Sequence, residues 1–215
     1  MARGGAIVLS MVMSLRNQPG ASSPSRAAIV DRARRLAAVE GLDGLSLARL
    51  AHDLGMSKSG VVALFGSKEA LQLATVSIAR DVFVEEVVAP VLSVAGGLDR
   101  LRALLESHVR YSEARRESGG CFFAATSSEF AGRPSSVRDA ILAARAEWDA
   151  VLLRIVERAI GKGDLDPDTD AEQLAYQLRA LLEAASTDAL RLGTAEPHRR
   201  TRIAIEAVLR SAGAP

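Results

Sequence analysis

The sequence predicts an all-α protein of about nine helices. Apolar residues make up 48% of the 215 residues and aromatic residues only 4%, a balance that favours stacked helices over sheets. The surplus of Ala, Leu and Val recurs at positions i, i+3 and i+4, which is the spacing of one face of a helix. Serines before these segments, and glycines or prolines after them, mark where each helix begins and ends. At this length the chain forms one large domain or two small ones.

Four of the predicted helices lie within residues 25–89. Each follows a serine whose hydroxyl can accept a hydrogen bond from a backbone N–H in the first turn. The four serines are Ser25, Ser46, Ser57 and Ser67. The first helix runs to about Glu40 because Gly41 stops it, the second ends at Gly55 and the third at about Leu64. The fourth continues until Pro90, which lacks the N–H that a helix interior needs.

Five more helices are predicted beyond Gly96 and Gly97. The longest starts after Pro134 and ends at Gly161, because apolar residues recur every three or four positions between them. The others cover about residues 98–116, a shorter segment after Gly119 and Gly120, and about residues 168–192 and 197–211. No internal repeat at a fixed period occurs.

Residues 1–24 differ in composition from the rest of the chain. An apolar run at residues 6–15 follows Arg3 and precedes a tract rich in Pro, Gly and Ser. The run is too short to span a bilayer, and no Ala-x-Ala-like cleavage site follows it, so a signal peptide is the weaker alternative. We interpret these residues as a disordered, mildly basic arm, or as an extension upstream of a true start at Met11 or Met13.

The net charge of +1 is unevenly distributed along the chain. Residues 1–68 hold 9 Lys plus Arg against 4 Asp plus Glu, a balance of +5, and residues 69–215 hold 18 against 22, a balance of −4. A basic segment attached to a neutral or acidic body is typical of a protein that contacts nucleic acid through one end. The N-terminal third is therefore the candidate for a DNA-binding surface.

The stretch GMSKSGVVALFGSKEAL, residues 55–71, has the features of a helix-turn-helix. This motif needs two short helices that cross sharply, a small residue where they touch and a glycine in the turn, and Ala51 and Gly55 fill these two positions. The residues predicted to lie behind the second helix are Leu50, Leu54, Met56, Val61 and Leu64. Its outward residues are Ser57, Lys58, Ser59, Val62 and Ala63. Small outward side chains let the backbone approach base edges and phosphates.

From Ser25 to about Val82 the chain resembles the tetracycline-repressor-like (TetR) family of bacterial transcription regulators, through RAAIVDRARRLAAVEGLDGLSLARLAHDLGMSKSGVVALFGSKEAL. Weaker similarity covers residues 119–141. The resemblance implies a helix-turn-helix DNA-binding domain at residues 25–70, a larger helical ligand-binding and dimerisation domain at residues 71–215, and a homodimer formed through the last two helices. The residues expected to bind DNA are Ser46, Arg49, Ser57, Lys58, Ser59, Val62, Ala63 and Lys68.

One departure from the family pattern concerns the end of the second helix of the motif. The family usually has an aromatic residue and, two positions later, a histidine, and both commonly contact the DNA backbone. In this sequence the two positions hold Val62 and Leu64. We expect weaker anchoring on phosphates, compensated in part by the basic arm and Arg26.

Aromatic residues and one histidine in the longer helices are candidates to line an apolar cavity for a small molecule. They are His108, Tyr111, Phe122, Phe123, Trp148 and Tyr176. The alternative for each of them is a place in the ordinary core. The family resemblance supports a cavity of this kind.

No catalytic residue, metal site or cofactor is predicted. The run DLDPDTD places Asp164, Asp166, Asp168 and Asp170 at alternate positions, but it lacks the glycine and the final glutamate of a calcium loop. We interpret it as a turn that caps the next helix. No hydrolase, phosphate-binding or dinucleotide-binding motif occurs. The single Cys121 excludes an internal disulfide, and such cysteine usage is typical of the reducing cytoplasm.

Taken with these observations, the family resemblance implies a ligand-responsive transcription regulator, a repressor, that binds a palindromic operator as a homodimer. Its expected partners are double-stranded operator DNA and a small-molecule effector. We expect no association with a membrane. We expect it in the cytoplasm and without enzymatic activity. The alternative is a helical ligand-sensing or protein-interaction module that has lost specific DNA binding, an interpretation that Val62 and Leu64 leave open.

Overall fold

Nine α-helices and three short helical turns form the part of the chain that the computed structural model describes, residues 24–215. These residues contain no β-strand, so the predicted all-α class is confirmed for them. The arm predicted at residues 1–24 lies outside the described part, apart from Pro24. In chain order the helices are α1 (Pro24–Glu40), α2 (Leu47–Asp53), α3 (Lys58–Phe65), α4 (Lys68–Phe83), α5 (Leu98–Ala114), α6 (Phe122–Phe130), α7 (Ser136–Gly161), α8 (Ala171–Leu192) and α9 (Glu196–Ser211).

Serine caps begin the three helices that follow α1. The hydroxyl oxygens of Ser46, Ser57 and Ser67 each accept a hydrogen bond of 3.0 Å from the backbone N–H three residues ahead, as predicted. The prediction is wrong for Ser25, since α1 already begins at Pro24. Proline suits a first turn because its fixed φ is helical and its missing N–H has no partner to lose there.

The long helix predicted to run to Pro90 changes its geometry before it reaches that residue. α4 gives way to a π-helical turn (Val84–Val88) and then to a 3-10 turn that contains Pro90 (Ala89–Val91). Pro90 has no N–H to donate to the carbonyl of Glu86, four residues before it. That carbonyl accepts a 3.1 Å hydrogen bond from the Ser107 hydroxyl on α5 instead. The end of this segment is therefore tied to α5.

The N-terminal helices and the larger helical body share one apolar core. α1 packs against α4 and α6, α2 against α3, and α8 against α9, while α4 also packs against α7. One continuous cluster of buried residues includes Ile29 in α1, Leu71 in α4 and Leu209 in α9. The domain boundary expected between residues 70 and 71 falls in the first turn of α4, so this helix takes part in both regions.

No single helix within residues 24–215 is both long and apolar enough to cross a membrane. Only as a pair do α3 and the segment Lys68–Val91 reach that length and apolarity, and the two are bent by 71°. The bend falls where Gly66 ends α3 and Ser67 caps α4.

A glycine lets the turn after α5 approach the backbone of α1. Gly119 has a φ of 93°, a left-handed conformation that residues with a side chain rarely adopt. A Cβ atom at this position would lie 2.3 Å from the carbonyl carbon and oxygen of Ala38, which is closer than nonbonded atoms approach. Gly163 also has a positive φ, 77°, but a Cβ there meets nothing within 4 Å. A side chain at Gly163 would therefore cause backbone strain alone, whereas a side chain at Gly119 would cause both backbone strain and a steric clash.

We expect Gly119→Ala to destabilise the protein clearly more than Gly163→Ala. Both substitutions force a side chain into the left-handed region, which costs about 1–2 kcal/mol, and only the first also pushes α1 away from the turn. Urea denaturation followed by far-UV circular dichroism gives the two free energies of unfolding. Equal losses in the two variants would show that the close approach to Ala38 does not stabilise the fold.

Candidate DNA-binding surface and ligand cavity

The turn between α2 and α3 has the geometry expected of a helix-turn-helix. The backbone N–H of Met56 donates to the Ala51 carbonyl at 2.8 Å, and that of Gly55 donates to the His52 carbonyl at 3.2 Å. Gly55 has a φ of 63°, a conformation that glycine adopts without strain. Ala51 is buried between the helices, where a larger side chain would separate them. The structural roles predicted for Ala51 and Gly55 are confirmed.

The helix α3 has an apolar back and a polar first turn. The residues behind it, packed in or against the core as predicted, are Leu50, Leu54, Met56, Val61 and Leu64. The residues exposed at its surface are Ser57, Lys58, Ser59 and Ala63. Val62, also predicted to face outward, is partly buried. The Ser57 and Ser59 hydroxyls lie 3.2 Å apart, so the open edge of α3 is short, small and polar.

Two further residues predicted to bind DNA lie at the start of α2. Ser46 caps this helix, and Arg49 is exposed in its first turn. The Arg49 guanidinium is paired with the carboxylates of Asp53 at 3.1 Å and Glu40 at 3.5 Å. Hydrogen bonds from Arg32 and then from Arg49 hold the pKa of the Asp53 carboxyl below its usual range. The charge of Arg49 is therefore balanced within the protein itself.

Lys68, at the start of α4, is held by Asp43 from the loop between α1 and α2. Its ammonium group contacts the Asp43 carbonyl oxygen and lies 3.2 Å from the carboxylate. Arg133, which follows α6, donates to the other carboxylate oxygen at 2.7 Å. Hydrogen bonds from Arg133 and Lys68 lower the pKa of Asp43, so this carboxylate is ionised at neutral pH. An anion that approaches Lys68 must compete with Asp43.

A cavity lies among helices α4 to α8. Phe83, the last residue of α4, is the centre of its aromatic wall. The distance from the centroid of the Phe83 ring is 5.1 Å to Trp148, 5.6 Å to His108 and 6.3 Å to Phe123, each with edge-to-face geometry. Since the four rings come from four different helices, the wall joins α4, α5, α6 and α7 at one place.

Three of the six residues predicted to line a cavity do so: His108, Phe123 and Trp148. Tyr111 and Phe122 are buried next to the wall but do not line it, since Tyr111 packs on Phe83 at 5.3 Å and Phe122 on Phe123 at 5.2 Å. Tyr176 is 59% exposed and borders a separate depression on α7 and α8. The expectation that it lines the cavity is wrong because the buried stripe of α8 lies on another side of the helix.

Charged residues also line the cavity, and their positions in the sequence do not distinguish them from residues that face solvent. Arg145 on α7 and Arg179 on α8 both donate to one carboxylate oxygen, Oε1 of Glu183, with Arg179 at 3.0 Å. Arg80 on α4 donates to Glu147 at 2.6 Å. In an amphipathic helix such residues are expected on the polar face. Only the packing of the helices brings them to a common cavity.

Burial keeps two titratable groups of the cavity uncharged at neutral pH. It lowers the pKa of His108 from 6.5 to about 4, and it raises the pKa of the Cys121 thiol. Nδ1 of His108 is buried and has no hydrogen-bond partner within the described part of the chain. The lining therefore combines neutral polar groups with the guanidinium groups and Glu183.

The acidic run between α7 and α8 makes turn and cap contacts. Asp170 caps α8 by accepting a 3.0 Å hydrogen bond from the backbone N–H of Gln173, which confirms the predicted capping turn. Asp164 accepts from the backbone N–H of Leu98, at the start of α5, at 3.0 Å. From residue 24 onward, no group of three His, Cys, Asp or Glu side chains is placed to hold a metal ion.

Comparison with known protein families gives two matches that agree. The model for bacterial regulatory proteins of the tetR family matches residues 29–75, and the model for the tetracyclin repressor-like C-terminal domain matches residues 97–205, half of the chain. The chain belongs to the TetR family. A search of curated proteins finds no match to this TetR-family protein.

Several solved regulators share the fold of this TetR-family protein. A TetR transcriptional regulator from Chloroflexus aurantiacus J-10-FL is 27% identical, with a TM-score of 0.79 over 86% of this chain and 93% of its own. A putative transcriptional regulator from Saccharomonospora viridis, solved with choline, is 22% identical, with a TM-score of 0.76 over 87% and 96%. AibR, solved with isovaleryl coenzyme A and operator DNA, is 23% identical, with a TM-score of 0.63 over 75% and 85%.

The helix α6 links the cavity of this TetR-family protein to its N-terminal helices. Near the end of α6, the Glu129 carboxylate accepts hydrogen bonds from the backbone N–H groups of Leu42 and Asp43, at 2.8 and 2.7 Å. Gln72 of α4 donates to the Leu42 carbonyl at 3.0 Å. The opposite end of α6 supplies Phe123 to the cavity wall. One short helix thus contacts both the cavity and the loop before α2.

The end of α3 carries two apolar side chains in place of polar ones that the family resemblance leads us to expect. Val62 and Leu64, where the resemblance leads us to expect an aromatic residue and a histidine, are both partly buried, and their side chains have no hydrogen-bonding group. Arg26 of α1 places its guanidinium 4.9 Å from the centre of the Phe65 ring. A positive charge therefore lies beside the end of α3, although the two usual polar side chains are missing.

The buried His108 predicts a loss of stability at mildly acidic pH. Because its pKa is about 4 in the folded protein and 6.5 in the unfolded chain, only the unfolded chain binds a proton between these values. The free energy of unfolding therefore falls as the pH drops from about 6.5 towards 4. His108→Phe, which keeps a ring in the aromatic wall, removes this contribution.

We expect the free energy of unfolding of His108→Phe to change less with pH than that of the unsubstituted protein. Between pH 7 and pH 4, His108 contributes a loss of at most roughly 3 kcal/mol to the free energy of unfolding, at about 1.4 kcal/mol for each pKa unit. Urea denaturation at a series of pH values measures it. His52→Gln, at an exposed position, is the control and should follow the unsubstituted protein. Parallel curves for all three proteins would contradict a neutral, desolvated His108.

Proposed function

We propose that this TetR-family protein is a ligand-responsive repressor that binds a palindromic operator as a homodimer. The observation that carries the proposal is the course of α4, which begins at Lys68 beside α3 and ends at Phe83 in the cavity wall. A ligand that moves Phe83 therefore acts on a rigid element that also supports the helix-turn-helix. The exposed polar start of α3 supports the same function.

In this proposal α3 enters the major groove and the neighbouring helix starts hold the phosphates. The residues that we assign to base edges are Ser57, Lys58, Ser59, Val62 and Ala63, and those that we assign to phosphates are Ser46, Arg49 and Lys68. The small and apolar side chains suit thymine methyl groups, and the serines suit polar base edges. The second protomer places its own α3 in a successive major groove, about 34 Å away or more.

The homodimer in this proposal forms through α8 and α9. Both helices expose small or apolar side chains to solvent, namely Ala180, Ala184 and Leu190 on α8 and Ile203 and Ala207 on α9. Ile203 is 56% exposed, so its burial against a partner would stabilise the assembly. Residues 25–70 would then act as the DNA-binding domain, and residues 71–215 as the ligand-binding and dimerisation domain.

Ligand binding is proposed to favour a state in which the two α3 helices are wrongly spaced for successive grooves. Two elements carry the change from the cavity: α4, through Phe83, and α6, through Phe123 and Glu129. Relatives of this fold were solved with ligands as unlike as choline and isovaleryl coenzyme A, so likeness alone does not identify the effector. We place the regulator in the cytoplasm with its operator, without a cofactor or enzymatic activity.

The proposed DNA contacts are tested by Lys58→Ala and Lys68→Ala. A gel-shift assay with the DNA that flanks the protein's own gene measures affinity at several salt concentrations. We expect Lys68→Ala to weaken binding about equally for all sequences and to reduce the salt slope by about one, as the loss of a phosphate contact does. We expect Lys58→Ala to change the preference among base substitutions in the site.

The matched control is Lys162→Ala, at the end of α7, where Lys162 binds the Gly96 carbonyl at 2.7 Å. It should bind DNA like the unsubstituted protein.

We also expect the operator affinity of the unsubstituted protein to depend weakly on salt. Six to ten phosphate contacts lower affinity by roughly 10³ to 10⁵ between 50 and 200 mM salt, and we expect a smaller decrease here. If no DNA fragment binds above the non-specific level, the protein is a sensing or interaction module instead.

The proposed route through α6 is tested by Glu129→Gln. A neutral amide presents only one oxygen to the two N–H groups of Leu42 and Asp43, so the loop is held less firmly. We expect the variant to bind the effector normally while the effector changes operator affinity less. The measurement compares operator affinity with and without effector, by gel shift. Glu117→Gln, on an exposed turn, is the control, and an unchanged effector response in Glu129→Gln contradicts this route.

A further inference from the structure

Three of the four charged side chains that line the cavity are arginines. The guanidinium groups of Arg80, Arg145 and Arg179 line it together with one carboxylate, that of Glu183. Arg80 has two carboxylate partners of its own outside the lining. Arg145 and Arg179 share Glu183, and Asp149 pairs with Arg179 at 3.4 Å from the neighbouring depression. Glu183 is therefore the one carboxylate of the lining itself, and it is shared by two guanidinium groups.

The shared carboxylate oxygen places the two guanidinium groups next to each other. Nη1 of Arg179 lies 3.0 Å from Oε1 of Glu183, and Nη2 of Arg145 contacts the same atom. A guanidinium carries five N–H donors in a planar fork that matches the two oxygens of a carboxylate. Glu183 engages one nitrogen of each fork. A carboxylate from a ligand would find both forks already oriented towards one point.

The rest of the lining suits an apolar body. Phe83, Phe123 and Trp148 supply aromatic surface, and Ala144 and Leu182 supply aliphatic surface. Aromatic faces also attract cations. A cation in this cavity, however, would lie beside guanidinium groups whose full positive charges repel it more strongly than the partial charges of the rings attract it.

We propose that the cavity binds a small monocarboxylic acid with an aromatic or branched apolar body, whose carboxylate displaces Glu183 from Arg145 and Arg179. This inference rests on the proposed function, since it names the effector class of the same cavity. Glu183 holds the two guanidinium groups together until the ligand replaces it. Its side chain is 38% exposed, so the displaced carboxylate returns to water.

Trp148 makes a direct test available, because it is the one tryptophan of the chain and lies in the cavity wall. Its fluorescence is followed while 4-phenylbutyrate, 4-phenylbutyramide or 4-phenylbutylamine is added to the full chain. The three probes share an apolar body and differ in charge. We expect saturable binding of the acid, binding of the amide weaker by about tenfold or more as a charge-assisted contact is lost, and no binding of the amine. Stronger binding of the amide or amine, or no response to any probe, overturns the proposal.

Two substitutions test the proposed position of the carboxylate. Glu183→Gln removes the internal competitor, so we expect the acid to bind about tenfold more tightly, whereas a cation site would lose the carboxylate it needs. Arg145→Gln is expected to weaken binding of the acid about tenfold and to reduce the preference of the protein for the acid over the amide. Arg110→Gln, on the exposed surface of α5, is the matched control, and circular dichroism verifies that each variant is folded. Weaker acid binding by Glu183→Gln, or unchanged binding by Arg145→Gln, overturns the proposal.

Operator binding measured on the same samples separates this inference from the proposed function. Acid binding that leaves operator affinity unchanged supports the ligand class and contradicts the repressor mechanism. Specific operator binding by a protein that ignores all three probes overturns the ligand class and leaves the DNA-binding function standing.

Discussion

The packing of α4 against two sets of neighbours constrains the whole molecule. Its buried residues begin with Leu71, among the N-terminal helices, and end with Phe83, among the rings of the cavity. Glu129 of α6 and Gln72 of α4 both bind the loop before α2, so this loop is tied to the body by polar contacts as well as by apolar packing. The helices α4 and α6 therefore both connect the cavity with the N-terminal helices.

At each of the two proposed binding sites an internal carboxylate lies between two positively charged side chains. Asp43 lies between Lys68 and Arg133, and Glu183 lies between Arg145 and Arg179. Such a carboxylate neutralises groups that would otherwise repel each other, and an incoming anion must compete with it. Competition of this kind weakens non-specific anion binding more than binding by a partner that makes further contacts. Both proposed binding sites would gain selectivity in the same way.

The helices could be predicted because their signals are local. Ser46, Ser57 and Ser67 cap helices through contacts three residues away, and apolar spacing reports which face is buried. The contacts of Glu129 could not be predicted, since its partners are backbone N–H groups 86 and 87 residues distant, and a backbone donor has no signature in the sequence. Tyr176 and Arg179 show the same limit within one helix, because only the packing of α8 decides which of them reaches the cavity.

The segment between α4 and Pro90 is anchored to α5. The Glu86 carbonyl is anchored to Ser107 on α5, so in the proposed mechanism this end of the segment would act as the pivot of a tilt that displaces the start of α4. With 16 residues, the lever arm is about 24 Å long at about 1.5 Å per residue. A tilt of roughly 5° about the cavity end would then carry Lys68 through about 2 Å, an amplification set by the length of the helix. Movement too small to reshape the cavity would still shift the start of α4 by most of a hydrogen-bond length.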